Sequence, residues 1–193
     1  MATRIYPDKE PNEKIWEVIS SEYIIKRPWM TARRDHLIMP SGEECPEWYV
    51  LEFPEWINVI ALTIEGEVIM ERQYRPGLKR YDWEIPAGVV EEGETLLQAA
   101  KRELLDETGF AGGQWQEIMS CCANPTNTSN LSHTFFVTNV ERIAMPTQEQ
   151  SEDISVWTMP QAELLNVLQS GGIVQSMMAA PLWRAFYTGL LKP

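Results

Sequence analysis

No window of the 193-residue sequence approaches about eighteen consecutive apolar residues, so nothing in it reads as a membrane-spanning helix. Met1 to Glu10 contains no apolar stretch of the kind a secretory leader carries, and a cytoplasmic location is the expectation. Cysteine is scarce. The three present are an odd number, and Cys121 and Cys122 are adjacent in the chain, a poor basis for a structural disulfide; they read as free thiols in a reducing compartment. Cations are outnumbered as well, 16 Lys plus Arg against 28 Asp plus Glu, for a formal charge of −12. That is the wrong sign for tracking a phosphate backbone, so nucleic acid is not an expected partner, and neither is a membrane. The same charge repels any anionic substrate unless bound cations reverse the local field, a role for divalent metal. Internal repeats and low-complexity segments are absent too.

A hydrophobic content of 44% over this length supports one real core, hence one globular domain. Asn58 to Thr63 and Val68 to Tyr74 are β-branched and aliphatic runs separated by the Glu65-Gly66 turn signal, and they predict a hairpin. Further strands are predicted at Trp48 to Phe53, Trp83 to Pro86, Trp115 to Ser120, Ser132 to Val140 and Ile154 to Thr158. Helical spacing predicts helices over Thr95 to Thr108, closed by Gly109, over Gln161 to Gln169, closed by Gly171 and Gly172, and from about Pro181 to Leu190. Strands interleaved with a few helices, without regular βαβ repetition, predict an α+β fold or a layered α/β/α sandwich. Two more strand-like runs, Glu17 to Lys26 and Thr31 to Met39, suggest a small accessory sheet near the N-terminus. Trp16, Trp29, Trp48 and Trp56 lie in or next to it and suit an interface or an aromatic base-binding wall, or else serve as ordinary core residues.

From Gly88 the chain reads GVVEEGETLLQAAKRELLDETGF. Glu103 and Glu107 are i and i+4 on the predicted helix and Asp106 is i+3 from Glu103, so three carboxylates share one face. Like charges at that spacing destabilise a bare helix, and their hard oxygens suit Mg²⁺ or Mn²⁺. The alternative is a solvated acidic helix face. Leu96, Leu97, Ala100 and Leu104 supply an apolar stripe to pack the helix on a sheet.

This segment resembles the Nudix box at every defined position but one, where Asp106 stands for the usual glutamate. The resemblance implies a Nudix-type α/β/α sandwich with a mixed sheet and an N-terminal accessory β-sheet, dividing the chain at residues 1–55 and 56–193. It also implies Mg²⁺-dependent hydrolysis of the pyrophosphate of a nucleoside diphosphate joined to another group. Carried over by position, the metal donors are the backbone carbonyl of Ala87 with Glu103, Glu107 and, secondarily, the shorter Asp106. Arg102 braces the acidic side chains, and Glu94 is a further box position among the candidate catalytic residues.

Outside the box, Val68 to Arg75 followed by Trp83-Glu84-Ile85-Pro86-Ala87-Gly88 looks like the ADP-ribose pyrophosphatase branch, and the likeness runs from about Trp16 to Trp183. ADP-ribose or a related ADP-sugar is therefore the expected substrate, with AMP and a sugar phosphate as products. Arg75 matches the branch's phosphate-binding arginine; Arg72, Lys79 and Arg80 make this the one locally basic stretch, which is either a pyrophosphate clamp or an exposed strand end. Glu84 has two readings, a metal or substrate contact or a strand residue paired with an arginine. Pro125 stands where the branch has a marker proline, but Pro125-Thr126-Asn127-Thr128-Ser129-Asn130 lacks the glutamate that often follows, leaving Asn127 and Asn130 as polar candidates. His133 reads as a strand histidine.

The branch draws its general base from a late loop, here about Pro146 to Asp153, which makes Glu152 the first candidate and Glu149 the next. The resemblance also implies a homodimer formed through the N-terminal strands, with an aromatic such as Trp29 or Tyr23 set against the base. Two other functions stand beside hydrolysis: a non-catalytic nucleotide-binding module on the same fold, and a diphosphate isomerase using Cys121 or Cys122.

Overall fold

The structure is a computed structural model that describes residues 14–147 and 153–193. The chain divides into two compact units, one comprising residues up to Phe53 with Asn124–Ser129, the other Pro54–Ala123 with Asn130–Pro193.

The first unit is a three-stranded antiparallel sheet, β1 (Glu17–Arg27), β2 (Met30–Ile38) and β3 (Glu44–Glu52), paired in that order. Arg33 and Asp35 pair at 3.0 Å on β2, Ser21 Oγ donates to Asp35 at 2.7 Å, and Arg33 also pairs with Glu52. On β3, Leu51 N donates to the Asn127 carbonyl at 2.7 Å and Trp48 Nε1 to that of Thr126 at 3.0 Å, which ties the 124–129 segment to this sheet. β3 begins at Glu44, four residues before the predicted strand at Trp48. All eleven residues of the edge strand β1 are exposed, Val18, Ile19, Ile24 and Ile25 among them, so apolar side chains meet solvent on both of its faces.

The second unit is a sandwich. Its strands are β4 (Trp56–Thr63), β5 (Val68–Arg75), β6 (Arg80–Glu84), β7 (Ala87–Val89), β8 (Phe110–Cys121), β9 (Ser132–Arg142) and β10 (Ile154–Met159). They form one sheet in the order β10-β5-β4-β9-β8, with β6 added on β5 and β7 on β4. The sheet is mixed, since β4 runs parallel to β9 while the other pairs are antiparallel. Alternation along β4 splits the core between two faces. Ile57, Val59 and Ala61 pack with Ala99, Ala100 and Leu104 of α1 (Leu96–Thr108). Ile60 and Leu62 pack with Leu164 and Leu168 of α2 (Gln161–Gln169) and with Met178 and Leu182 of α3 (Ser176–Tyr187). The expected α/β/α layering is present.

Several local expectations need correction. The hairpin over Asn58 to Tyr74 is joined only near its turn, at Leu62 and Val68, because the first part of β4 pairs instead with β7; the opposite edge of β4 pairs along its length with β9. Strand β8 starts directly after α1, five residues before the predicted Trp115. On α1 the packing stripe includes Ala99, whereas Leu97 is exposed. The last helix begins at Ser176, not Pro181, and places Pro181 in its interior. Proline favours a first helical turn because it has no N–H to donate. Here the carbonyl its N–H would have met, that of Met177, accepts instead from Asn58 Nδ2 at 3.0 Å.

Candidate active site

Helix α1 is closed at both ends by its own sequence. Thr95 Oγ1 accepts from Gln98 N at 3.3 Å while Gln98 Oε1 accepts from Thr95 N at 2.8 Å, a reciprocal capping box. At the other end Gly109 adopts φ 77°, a left-handed conformation suited to glycine, and donates to the Leu105 carbonyl at 2.8 Å. Between these caps Glu103 and Glu107 sit on the face turned to the sheet, 9% and 4% exposed. Burying two carboxylates one helical turn apart is unfavourable without compensating partners.

Those partners come from the chain just before the helix and from Arg102 on α1 itself. Glu107 Oε2 accepts from the Ala87 amide at 3.0 Å, and the Glu103 carboxylate lies so close to Gly88 that a Cβ there would overlap it. Arg102 Nη1 donates to Glu103 at 2.8 Å, its Nε and Nη2 grip Glu94 at 2.8 and 2.9 Å, and Nη2 also reaches the Val89 carbonyl at 3.0 Å. One guanidinium thus ties α1, the preceding loop and β7 together. The Arg102 hydrogen bonds hold the Glu94 carboxyl below the usual carboxylate range, and Glu94 in turn raises the Arg102 guanidinium.

Gly88→Ala is accordingly expected to push the Glu103 carboxylate aside. Steady-state kinetics should show kcat reduced about tenfold or more, and thermal melting a loss of about 1–3 kcal/mol. Unchanged kinetics would mean that the Glu103 position does not matter.

A second charged group lies on β5 and β6. Alternation places Glu71, Gln73 and Arg75 on the face of β5 that Ile69 turns toward α1, and Arg72 on the other face. Arg75 holds Glu84 through both carboxylate oxygens, Nε to Oε1 at 2.6 Å and Nη2 to Oε2. Glu84 raises the Arg75 guanidinium most, with Glu107 and Glu71 adding to it, and Arg75 lines one cavity with Ala87 and Gly88, the residues that meet Glu107 and Glu103. Of the two readings of Glu84, the geometry displays the arginine pairing. Arg72 stacks its guanidinium over Trp83, 5.0 Å from the ring centroid, and is not brought to Arg75. Arg80 pairs with the buried Asp82 at 3.1 Å.

Asp106 is half-buried and accepts from Thr147 Oγ1 at 3.3 Å, while its carbonyl accepts from Thr147 N at 2.8 Å. Glu149 and Glu152 lie outside the described residues. Pro125 and Asn127 belong to the first unit, and Trp29, 79% exposed, stands at the β1–β2 turn of that unit. His133 is a strand residue on β9 that bonds Glu55 at 2.8 Å, Ser120 at 2.9 Å and Glu117 at 3.3 Å. Burial raises the Cys121 thiol, which disfavours the thiolate an isomerase nucleophile would need.

Sequence reasoning passed over two buried side chains beside this site. Glu71, 3% exposed, was signalled by a carboxylate inside a run of strand residues; Asn58, 2% exposed, carried no local signal. The side chains of Glu71, Glu84, Glu103 and Glu107 against those of Arg75 and Arg102 have a formal balance of two negative charges. Among the described residues no three His, Cys, Asp or Glu side chains form a ready metal cage. Two buried carboxylates at the Ala87–Gly88 backbone are nevertheless a hard-oxygen set, and Mg²⁺ commonly uses one or two carboxylates while taking its remaining oxygens from water and substrate phosphates.

The family model described as NUDIX domain matches residues 54–175, the stretch that carries α1, Arg75 and the Ala87–Gly88 step. The chain belongs to the Nudix hydrolase family. A second model, the nucleoside diphosphate sugar hydrolase N-terminal domain, matches residues 16–51 of this Nudix chain. Among its relatives, the ADP-ribose pyrophosphatase of Mycobacterium tuberculosis is 29% identical over 94% of this chain and 89% of its own. The ADP-sugar pyrophosphatase of Mus musculus is 28% identical over 92% of this chain and 87% of its own. A crystal structure of an ADP compounds hydrolase shares the fold at a TM-score of 0.80, with 17% identity, covering 94% of this chain and 98% of that one.

Proposed function

We propose that this Nudix hydrolase cleaves the pyrophosphate of an ADP-sugar, ADP-ribose foremost, in a Mg²⁺-dependent reaction that yields AMP and a sugar phosphate. The observation that carries the reading is the pair of buried carboxylates, Glu103 and Glu107, seated against Ala87 and Gly88, with Arg75 lining the same cavity as those two residues. The relatives named for ADP-ribose and ADP-sugar cleavage point to the substrate class.

Glu103, Glu107 and the Ala87 carbonyl would hold the metal, with Asp106 secondary. When bound, it would acidify a water and neutralise pyrophosphate oxygens. Arg102 keeps Glu103 in place through the Glu94 and Val89 contacts. Arg75 commits Nε and Nη2 to Glu84, which leaves Nη1 to donate to a non-bridging phosphate oxygen. Glu152, or failing it Glu149, takes the proton from the attacking water. No helix among the described residues is long and apolar enough to cross a membrane. A panel of ADP-sugars, dinucleoside diphosphates and nucleoside triphosphates assayed with Mg²⁺ tests the reading. Fastest turnover of ADP-ribose or another ADP-sugar is expected; binding of the whole panel without cleavage would replace it with a nucleotide-binding module.

The proposal includes a homodimer that covers β1. A sheet-edge strand with both faces exposed, Val18 and Ile24 at 55% and 53%, followed by a turn with Trp29 at 79%, is open to pairing with a second copy. Light scattering at micromolar concentration is expected to give twice the 22.2 kDa chain mass; the single-chain mass would reject the dimer.

A further inference from the structure

A cavity of about 210 Å³ lies beside the Ala87–Gly88 step, with Trp56, Asn58, Arg75, Gln175 and Met177 in its walls. A neighbouring one of about 330 Å³ shares only Arg75 and Gln175 with it. The geometry points to Gln175 and Met177 as the wall that selects the sugar end of the substrate, with Asn58 as the positioning residue that holds this wall. The inference rests on the reading of the protein as an ADP-sugar pyrophosphatase.

Two local irregularities become one device. Pro181 in the interior of α3 has no N–H, so the carbonyl of Met177, four residues earlier, lacks its helical donor. Asn58 Nδ2 supplies that donor at 3.0 Å and also bonds Ser132 Oγ at 2.9 Å. Asn58 is buried and stands opposite Ala87 in the β4–β7 pairing. A buried amide is tolerated only when bonded, and this one spends its N–H groups fixing Met177 relative to the backbone next to the carboxylates.

The size and lining of the cavity identify the occupant. It is smaller than the roughly 300–1,000 Å³ typical of sites that enclose a whole drug-sized ligand, so it takes one end of the molecule. Gln175 is the N-cap residue of α3 but does not cap the helix with its side chain, and its half-buried amide offers a donor and an acceptor to sugar hydroxyls. Trp56 and Met177 offer apolar surface to the C–H face of the sugar ring.

The test compares kcat/KM for two substrate pairs. ADP-ribose and ADP-glucose differ at the sugar; ADP-ribose and IDP-ribose differ at the base. Gln175→Ala and Met177→Ala are expected to shift the sugar-end ratio about tenfold or more and to leave the base-end ratio within about twofold. Asn58→Ala should raise KM for ADP-ribose and shift the sugar-end ratio in the direction of Met177→Ala, whereas a merely structural loss would scale all substrates alike. If Asn58→Ala does not fold, the two half-buried wall variants decide alone. An unmoved sugar-end ratio, or a shift in the base-end ratio, would overturn the inference while leaving the hydrolase reading intact; failure of the wild type to cut any of these compounds would sink both.

Discussion

Glu107→Gln is expected to lower kcat about a hundredfold or more with ADP-ribose and Mg²⁺, while thermal melting stays level or rises. The amide keeps the side chain's shape and can still accept from the Ala87 amide, now at 3.0 Å, so the fold loses little. Removing one of two negative charges buried one turn apart on α1 relieves repulsion in the metal-free protein. What the amide cannot supply is an anionic oxygen for a hard cation, and metal stabilisation of developing charge is worth several kcal/mol, with each 1.36 kcal/mol about tenfold in rate. Near-wild-type turnover in this variant and in Glu103→Gln, with Mg²⁺ present, would remove the metal-binding role from α1.

Arg75→Ala should have the second large effect, because two roles fall on one side chain. As a phosphate donor its loss is expected to reduce kcat/KM about a hundredfold, near 3 kcal/mol. As the partner of Glu84, which is 3% exposed, its loss strands a buried carboxylate. Arg75 itself is 43% exposed, so solvent shares the interaction, and about 1–3 kcal/mol of stability is the expected cost. The double variant Arg75→Ala/Glu84→Gln separates the roles. It should recover most of the melting temperature and none of the activity; recovery of both would make Arg75 purely structural. Arg80→Ala, which exposes Asp82 to a similar fate, is expected to cost stability and spare kcat.

The legible parts of this protein are those whose causes lie close together in the chain. α1 was readable to its caps because Thr95, Gln98 and Gly109 act within one turn of the residues they serve. Arg75 and Glu84 lie nine positions apart on adjacent strands, close enough in sequence for both readings of Glu84 to be written down, and the structure displays the pairing. The start of α3 was misplaced because the donor that replaces the missing Pro181 N–H comes from Asn58, 119 positions from the carbonyl it serves. The partial hairpin has the same origin: Glu65-Gly66 turns the chain as expected, but β7, about thirty positions further along, takes the first residues of β4. Burial of Glu71 likewise depends on β6 and β10 flanking it on β5, which no local pattern encodes. Arg72 and Arg75 looked like one basic cluster in the sequence, yet a spacing of three on a strand puts them on opposite faces.

Hydrolysis of ADP-ribose in ¹⁸O-labelled water, with products resolved by mass spectrometry, tests the central claim most directly. With Mg²⁺ the wild-type protein is expected to release AMP and ribose 5-phosphate, with one ¹⁸O in a single product phosphate. Excess chelator should abolish release, and the Glu107→Gln substitution should slow it about a hundredfold or more. Cleavage that survives chelation, or label found in neither phosphate, would contradict pyrophosphate hydrolysis by a metal held on α1.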